Sequence, residues 1–250
     1  MSNMHTICLG NCRNLRHYSR LAPAIVLSIG LFSSAPLRAA DAPAAASPAK
    51  PAARSTNSTE KAADWKLLFD GKTLKGWKIT DFAGHGEVTV DPNFHGAPAM
   101  IFESGAALTG VTWTNPPPKG EYEVSLQGMK LDGSDFFCGL TFPTETGNCS
   151  LIVGGWGGGV VGISSLDGMD ASENETTKFM AFEKDRWYQI RVRVTKTKIE
   201  AWIDEAKVVD VVTKDRKISV RAGEIELAEP FGISAYQVKA ALRNIRLRSL

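Results

Sequence analysis

The sequence is poor in histidine and cysteine, with four of each in 250 residues. Only His85 and His95 lie beyond residue 40, which excludes a three-histidine metal site within one chain. The same region keeps only Cys138 and Cys149, which either form one disulfide between neighbouring strands or stay as two buried free thiols. G-x-S-x-G, G-x-x-x-x-G-K-[ST] and C-x-x-C patterns are also missing, so the usual nucleophile-elbow, phosphate-loop and dithiol sites are excluded.

The chain also lacks a basic cluster interleaved with aromatic residues. Four arginines and no acidic residue fall in the first 40 positions, which leaves 25 of the 29 basic residues against 27 acidic ones in the remainder. A slightly acidic remainder without such a cluster argues against a nucleic-acid partner.

Long apolar runs are missing too. The run from Leu21 to Phe32 is too short to span a bilayer as a helix, which takes about 20 residues. It follows arginines and precedes small residues, so residues 1–40 are predicted to be a secretory signal peptide, with an uncleaved anchor as the alternative. Residues 41–62 are rich in Ala, Pro and Ser and are predicted to be a disordered linker. We therefore expect a secreted or periplasmic domain over residues 63–250, with no membrane contact beyond the leader.

The domain is built from short segments in which apolar and polar residues alternate. In QIRVRV, at positions 189–194, every second residue is apolar, as in a half-buried strand. The segment from Ile199 to Val212 is typical of a hairpin that turns at residues 204–206. No window of a dozen residues keeps a helical period. The pattern predicts an all-β fold, namely an antiparallel two-sheet sandwich.

The stretch from Gly154 to Gly162 holds six glycines around a single indole, Trp156. Glycines leave a flat aromatic face and main-chain amides open to a ligand, which is the environment that a sugar ring needs. We therefore predict a carbohydrate site at Trp156 and its neighbours Gly155 and Gly157. The alternative is a glycine-rich hairpin corner with a partly buried indole.

An acidic segment follows this stretch directly. Its predicted substrate-binding residues are Asp167, Asp170 and Asn174. Carboxylates here are also oxygen ligands that suit a divalent cation, calcium or a transition metal, although their spacing does not match an EF-hand loop. The predicted metal ligands are Asp170, Glu173 and Glu175. A solvated acidic turn explains the same residues without a ligand.

His85 lies in the sequence GHGE, two residues before Glu87. On a strand both side chains would share one face, where they could act as catalytic base and partner or as two ligands of a cation. The alternative is an exposed loop histidine between two glycines. His95 is a weaker candidate.

A second acidic motif, GEIELAE at positions 223–229, has the appearance of an exposed strand. It is similar to the E-x-D-x-x-E strand of retaining laminarinase-like glycosidases. A bulge would bring Glu229 beside Glu224 and Glu226, and such enzymes need two carboxyl groups about 5 Å apart. We interpret the motif as a non-catalytic strand.

The segment WKLLFDGKTL at positions 65–74, followed by Gly76 and Trp77, resembles the start of the 3-keto-disaccharide hydrolase domain family, first catalogued as domain of unknown function 1080. The resemblance continues at RWY (186–188), in the hairpin at 199–212 and over 243–250, and so spans about Asp64 to Leu250. It implies a concanavalin A-like jelly roll with one concave sheet. The stretch from Gly154 to Glu175 is typical of a sub-branch of the family.

The resemblance also implies an activity, the cleavage of glycosides that are oxidised at C3. The C3 ketone acidifies the C2 proton, so a base can remove this proton while the aglycone leaves from C1, and water adds afterwards. Such a site needs a base near C2 and a cationic or hydrogen-bonding group at the enolate oxygen. We therefore predict an exported carbohydrate-active protein with a carbohydrate ligand. The alternatives are a non-catalytic glycan-binding module and a surface sandwich that binds another protein. The oligomeric state is not predicted.

Overall fold

The computed structural model describes residues 65–250, which fold almost entirely as β-strands. The predicted signal peptide (1–40) and linker (41–62) lie outside the described residues. Within the described range, no helix has the length and apolar character needed to cross a membrane.

Fifteen strands and one short 3₁₀ helix make up the described chain. The strands are β1 (Lys66–Leu67), β2 (Trp77–Ile79), β3 (Val88–Phe94), β4 (Ala97–Phe102), β5 (Leu108–Trp113), β6 (Tyr122–Asp132), β7 (Cys138–Pro143), β8 (Asn148–Gly155), β9 (Val160–Ser164), β10 (Lys178–Phe179), β11 (Trp187–Val194), β12 (Lys198–Ile203), β13 (Ala206–Val212), β14 (Gly232–Tyr236) and β15 (Lys239–Ser249). The 3₁₀ helix (Glu224–Ala228) lies between β13 and β14.

The strands form two antiparallel sheets that pack face to face. The first sheet has eight strands in the order β13-β12-β11-β6-β15-β4-β3, with β1 paired to β15. The second sheet has seven strands in the order β10-β9-β8-β7-β14-β5-β2. Neighbours in each sheet often come from distant parts of the chain, as expected of a jelly roll. The predicted all-β jelly-roll sandwich is confirmed.

The core lies between the two sheets and follows the alternation seen in the sequence. In β11 the buried residues Tyr188, Ile190, Val192 and Val194 face the core, and the residues between them are only partly buried. The hairpin predicted at residues 199–212 is also present, as β12 and β13. Alternation therefore decides which residues of each strand fill the core.

The outer face of the first sheet carries arginines around one buried carboxylate. The side chain of Glu123 has no exposed surface. It accepts hydrogen bonds from Arg193 Nε at 2.6 Å, Arg191 Nη1 at 3.1 Å and Arg248 Nε at 2.6 Å. Burial raises the pKa of Glu123, but the hydrogen bonds and charges of Arg193 and Arg248 outweigh this effect and hold it below its ordinary value. We call Glu123 with Arg191, Arg193 and Arg248 the arginine face.

The two cysteines of the domain are free and fully buried. Cys138 is paired in register with Val153, and Cys149 with Phe142, so the thiols do not face each other across the β7–β8 hairpin. Burial raises the pKa of Cys138 to about 12 and raises that of Cys149 as well. Of the two possibilities open from the sequence, the structure has the buried free thiols.

The outer face of the second sheet holds a smaller apolar cluster, which includes Leu108, Phe136 and Ile152. The segment between β13 and β14 crosses this face and adds Ile225 and Ala228. The prediction of a strand at GEIELAE is wrong, because residues 224–228 form a 3₁₀ helix. A helical turn lets Ile225 and Ala228, three positions apart, point to the same side and cover the sheet.

Candidate functional site

A cavity of about 510 Å³ opens on the outer face of the second sheet. Strand ends of the sheet supply its floor and the crossing segment supplies one wall. The lining residues are Ala107, Leu108, Asp135, Phe136, Ile152, Trp156, Ser164, Arg221, Ala222, Glu224, Ile225 and Tyr236. Its size lies in the range of small-molecule sites, and its lining combines apolar walls with a few charged groups.

Trp156 stands at the edge of this cavity, on the turn that joins β8 to β9. The amides of Gly158 and Gly159 both donate to the carbonyl of Gly155, at 3.2 and 3.1 Å, which closes a tight turn. Gly157 and Gly158 have φ values of 87° and 98°, which only glycine adopts readily. The turn therefore lifts the indole out of the sheet, with 41% of its surface exposed.

Two carboxylates line the cavity, Asp135 and Glu224. Asp135 Oδ1 accepts the amide of Phe136 at 2.8 Å, and its Oδ2 accepts the amide of Gly157 at 3.5 Å, so this aspartate braces the turn that carries Trp156. Glu224 Oε1 accepts the amide of Ala83 at 3.2 Å. Its Oε2 has no hydrogen-bond partner within residues 65–250, which leaves Glu224 the better placed of the two to accept a proton.

Arg221 is the cation of the cavity. Its Nη1 lies 3.1 Å from Asp170 Oδ2, and its guanidinium carbon lies 5.9 Å from the centroid of the Trp156 ring. Ser164 Oγ donates to Asp170 Oδ1 at 2.9 Å and helps to orient that carboxylate. Asp170 does not line the cavity itself. It holds the guanidinium at the cavity edge beside the indole.

Asn174 shapes the acidic segment from within. Its side-chain amide donates to the carbonyls of Ile163 at 2.7 Å, Asp170 at 2.7 Å and Met169 at 3.1 Å, and only 7% of its surface is exposed. Its Oδ1 accepts the amide of Thr176 at 2.9 Å. These bonds use the hydrogen-bonding capacity of the amide within the segment, so Asn174 orders the loop.

The remaining acidic residues of this segment do not converge on a cation. Arg216 forms ion pairs with both Asp167 and Glu175. The pKa of Asp167 is lowered by the Lys217 amide and by Arg216, and that of Glu175 is lowered mainly by Arg216. Among residues 65–250 no group of three or more His, Cys, Asp or Glu side chains could hold a metal ion. The metal set predicted at Asp170, Glu173 and Glu175 is therefore not assembled, and Asp170 and Glu175 pair with Arg221 and Arg216 instead.

His85 and Glu87 lie in the loop before β3 and not on a strand, so the predicted shared strand face is absent. Both are exposed and neither lines the cavity. The Nδ1 atom of His85 forms a 2.8 Å hydrogen bond with the carbonyl of Gly86. In the same loop, the amide of Ala83 contacts Glu224, and the buried ring of Phe82 belongs to the apolar cluster that includes Ile225.

Sequence reasoning missed four of the residues that build the cavity: Asp135, Phe136, Arg221 and Tyr236. They come from three separate segments that meet only in the folded chain. One signal was available for Glu224, since the GEIELAE motif marked an unusual run of carboxylates. Of its three glutamates only Glu224 lines the cavity. Glu229 instead accepts a hydrogen bond from Asn148 at 3.1 Å.

Comparison with protein families identifies the domain. The model of the 3-keto-alpha-glucoside-1,2-lyase-like domain matches residues 64–248, most of the chain. The chain belongs to this family. The family resemblance seen at WKLLFDGKTL is thereby confirmed, and the protein has a carbohydrate-related domain. No curated protein matches the chain.

Solved structures with a similar arrangement of strands come from several bacteria. The carbohydrate-binding module CBM66 from Bacillus subtilis has a TM-score of 0.48 and 12% identity, covering 70% of this chain and 96% of that one. Domain 4 of the extracellular arabinanase AbnA from Geobacillus stearothermophilus, solved with arabinotriose, has a TM-score of 0.44 and 12% identity, covering 69% and 82%. An alginate lyase from Corynebacterium sp. has a TM-score of 0.45 and 8% identity, covering 71% and 95%.

Proposed function

We propose that the protein is an exported enzyme that binds a 3-keto-glycoside in the cavity beside Trp156 and eliminates its aglycone. Family membership supports the reaction class. The observation that carries the proposal is the meeting of an exposed indole, a guanidinium and a carboxylate in one cavity of about 510 Å³. These are the three groups that such a substrate needs, namely a platform for the ring, a cation for the enolate oxygen and a base.

Each group has one role in the proposed reaction. The sugar ring stacks on Trp156, with its C3 carbonyl directed at Arg221. Glu224 takes the proton from C2, the electrons of the C2–H bond form a C1=C2 double bond, and the C1–O bond breaks. The aglycone oxygen keeps the electron pair of the broken C1–O bond and takes a proton from solvent. Arg221 stabilises the negative charge that develops on the C3 oxygen. Addition of water to the double bond then yields the free keto sugar.

Glu224→Gln tests the base. We expect turnover of a 3-keto-glycoside to fall by at least about 100-fold, because the amide cannot accept the C2 proton, while the affinity for the substrate changes little. The measurement follows release of the aglycone and the absorbance of the unsaturated keto sugar. Glu226→Gln is the matched control, since Glu226 lies on the same 3₁₀ helix, is exposed and does not line the cavity.

Wild-type rates in Glu224→Gln would reject Glu224 as the base, and Asp135→Asn would then be the next variant. The alternative function is a non-catalytic glycan-binding module, which the exposed indole favours because a stacking ring needs no base. Binding of 3-keto and unmodified glycosides without turnover of either would support that alternative and reject the enzyme.

A further inference from the structure

We propose that the cavity selects glycosides with an apolar aglycone, an aromatic or alicyclic ring, over disaccharides. The inference rests on the proposed function, since it concerns the group that leaves from C1. The reason is that the cavity is large enough for a sugar and a second group but has few polar side chains.

Polar side chains are few in the cavity, and most of them are already engaged. Asp135 accepts two main-chain amides, and both Ser164 and Arg221 are bonded to Asp170. Glu224 accepts one amide through Oε1 only. Carboxylates can accept further hydrogen bonds, so this set can satisfy the hydroxyls of one sugar ring. The hydroxyl of Tyr236 is one further partner, and a single hydroxyl is too little for the several hydroxyls of a second sugar ring.

The rest of the wall is mostly apolar, and its one polar side-chain atom is the hydroxyl oxygen of Tyr236. Leu108 on β5, Ile152 on β8 and Ile225 on the 3₁₀ helix line the cavity and belong to the apolar cluster outside the second sheet. The rings of Phe136 and Tyr236 extend this wall, with centroids 5.9 Å apart and an angle of 31° between the planes. A ring-shaped apolar group would pack against these side chains and lose its contact with water. Sugar hydroxyls placed there would lose their hydrogen bonds to water without replacement.

The volume leaves space for such a group. Cavities that hold drug-sized ligands measure about 300–1,000 Å³, and the 510 Å³ here lies within that range. A single sugar ring on Trp156 would occupy only one part of it. The aglycone therefore faces the aliphatic and aromatic part of the lining, and the polar groups near Trp156 face the sugar.

Unoxidised glycosides are not expected to be cleaved, so their affinities report the preference for an apolar aglycone without any contribution from bond cleavage. We would measure by calorimetry the binding of methyl glucoside, benzyl glucoside and a glucose disaccharide of the same anomeric configuration. Benzyl glucoside is expected to bind at least about tenfold more tightly than either of the others, which corresponds to the burial of one or two methylene equivalents.

Ile225→Ala should weaken the binding of benzyl glucoside about tenfold and leave the affinity for methyl glucoside unchanged. The reason is that only the aglycone contacts this wall. Leu227→Ala is the matched control, since Leu227 lies on the same 3₁₀ helix but is half exposed and outside the cavity. If Ile225→Ala lowers the affinity for both glycosides equally, the aglycone is not held by this wall and the inference is overturned.

Turnover of the 3-keto forms of the benzyl glucoside and the disaccharide separates the two proposals. Faster turnover of the benzyl compound, measured as kcat/KM, supports both. Cleavage of both compounds with a preference for the disaccharide overturns the aglycone inference and leaves the proposed function in place. Selective binding of benzyl glucoside with no turnover rejects the enzyme and keeps the binding preference, whereas neither binding nor turnover rejects both.

Discussion

The two outer faces of the sandwich treat charge and aromatic rings in different ways. On the arginine face Glu123 is fully covered and neutralised by the arginines around it. The guanidinium carbon of Arg191 lies 3.8 Å from the centroid of the Trp202 ring. On the cavity face Trp156 is 41% exposed and the nearest guanidinium is 5.9 Å away. The first face binds its buried carboxylate with its own arginines. The second keeps part of its hydrogen-bonding capacity for another molecule.

This difference separates stability from function. A group whose partners are all within the protein contributes to the folded state, and its loss leaves other groups without partners. A group with an open acceptor or an open ring face contributes little to folding and can contribute to binding. Equivalent substitutions on the two faces should therefore have opposite effects on stability and on glycoside binding.

The largest effect is expected from Glu123→Gln on the arginine face. The amide keeps the shape of the side chain but removes the charge that holds Arg191, Arg193 and Arg248 together. Breaking a buried ion pair costs about 3–5 kcal/mol, and we expect about 3 because these arginines still reach water. Chemical denaturation measures the loss, and glycoside binding should not change.

Glu224→Gln on the cavity face is the counterpart to this variant. It should change the free energy of unfolding by less than about 0.5 kcal/mol, since Glu224 is exposed. A loss of stability at Glu224 equal to that at Glu123 would contradict the division between the two faces.

A pair of tryptophan variants gives the next largest effect. Trp156→Ala should weaken glycoside binding about tenfold, or about 1.4 kcal/mol, with little change in stability, because its ring is open to solvent. Trp202→Ala should do the reverse, lowering stability by about 2 kcal/mol through lost packing and the lost contact with Arg191, with unchanged binding. Calorimetry and thermal unfolding of both variants check the pair. Equal loss of binding in both would place the ligand elsewhere.

The smallest effect is a change in pH dependence. The pKa of Glu123 is lower in the folded protein than its ordinary value near 4.5, so folding favours the ionised form. Its contribution to stability is complete above the pKa of the unfolded chain and is lost as pH falls through the folded pKa. The stability of the wild type should thus fall more steeply than that of Glu123→Gln between about pH 5 and about pH 3. Parallel curves would show that Glu123 does not titrate in this window.

The fold was largely predictable because its signals are local. Alternation in QIRVRV reports burial on one side of a strand, and the hairpin at residues 199–212 brings its own turn residues. The GEIELAE segment misled because its alternating glutamates are equally compatible with a short helix on the surface, and tertiary contacts of Ile225 and Ala228 decided between them.

The candidate site was predictable only in part. The sequence around Trp156 singled out the indole and its turn, and the structure places both at a cavity. It did not indicate that Asp135, Arg221 and Glu224 would join the indole. His85 and Glu87 looked like a site because two candidate side chains fell close together in sequence, whereas loop geometry leaves them outside the cavity.

By itself the sequence determined the all-β class, the family and the position of an unusual glycine-rich turn, because periodicity, motif and composition are properties of neighbouring residues. Only the tertiary structure decided which carboxylate lies beside that turn and which carboxylates are neutralised by Arg216, Arg221 or the arginine face. The physical reason is distance. Ion pairs and hydrogen bonds form between groups only a few ångströms apart. In a jelly roll, residues that lie far apart along the chain come within this distance of each other only after folding.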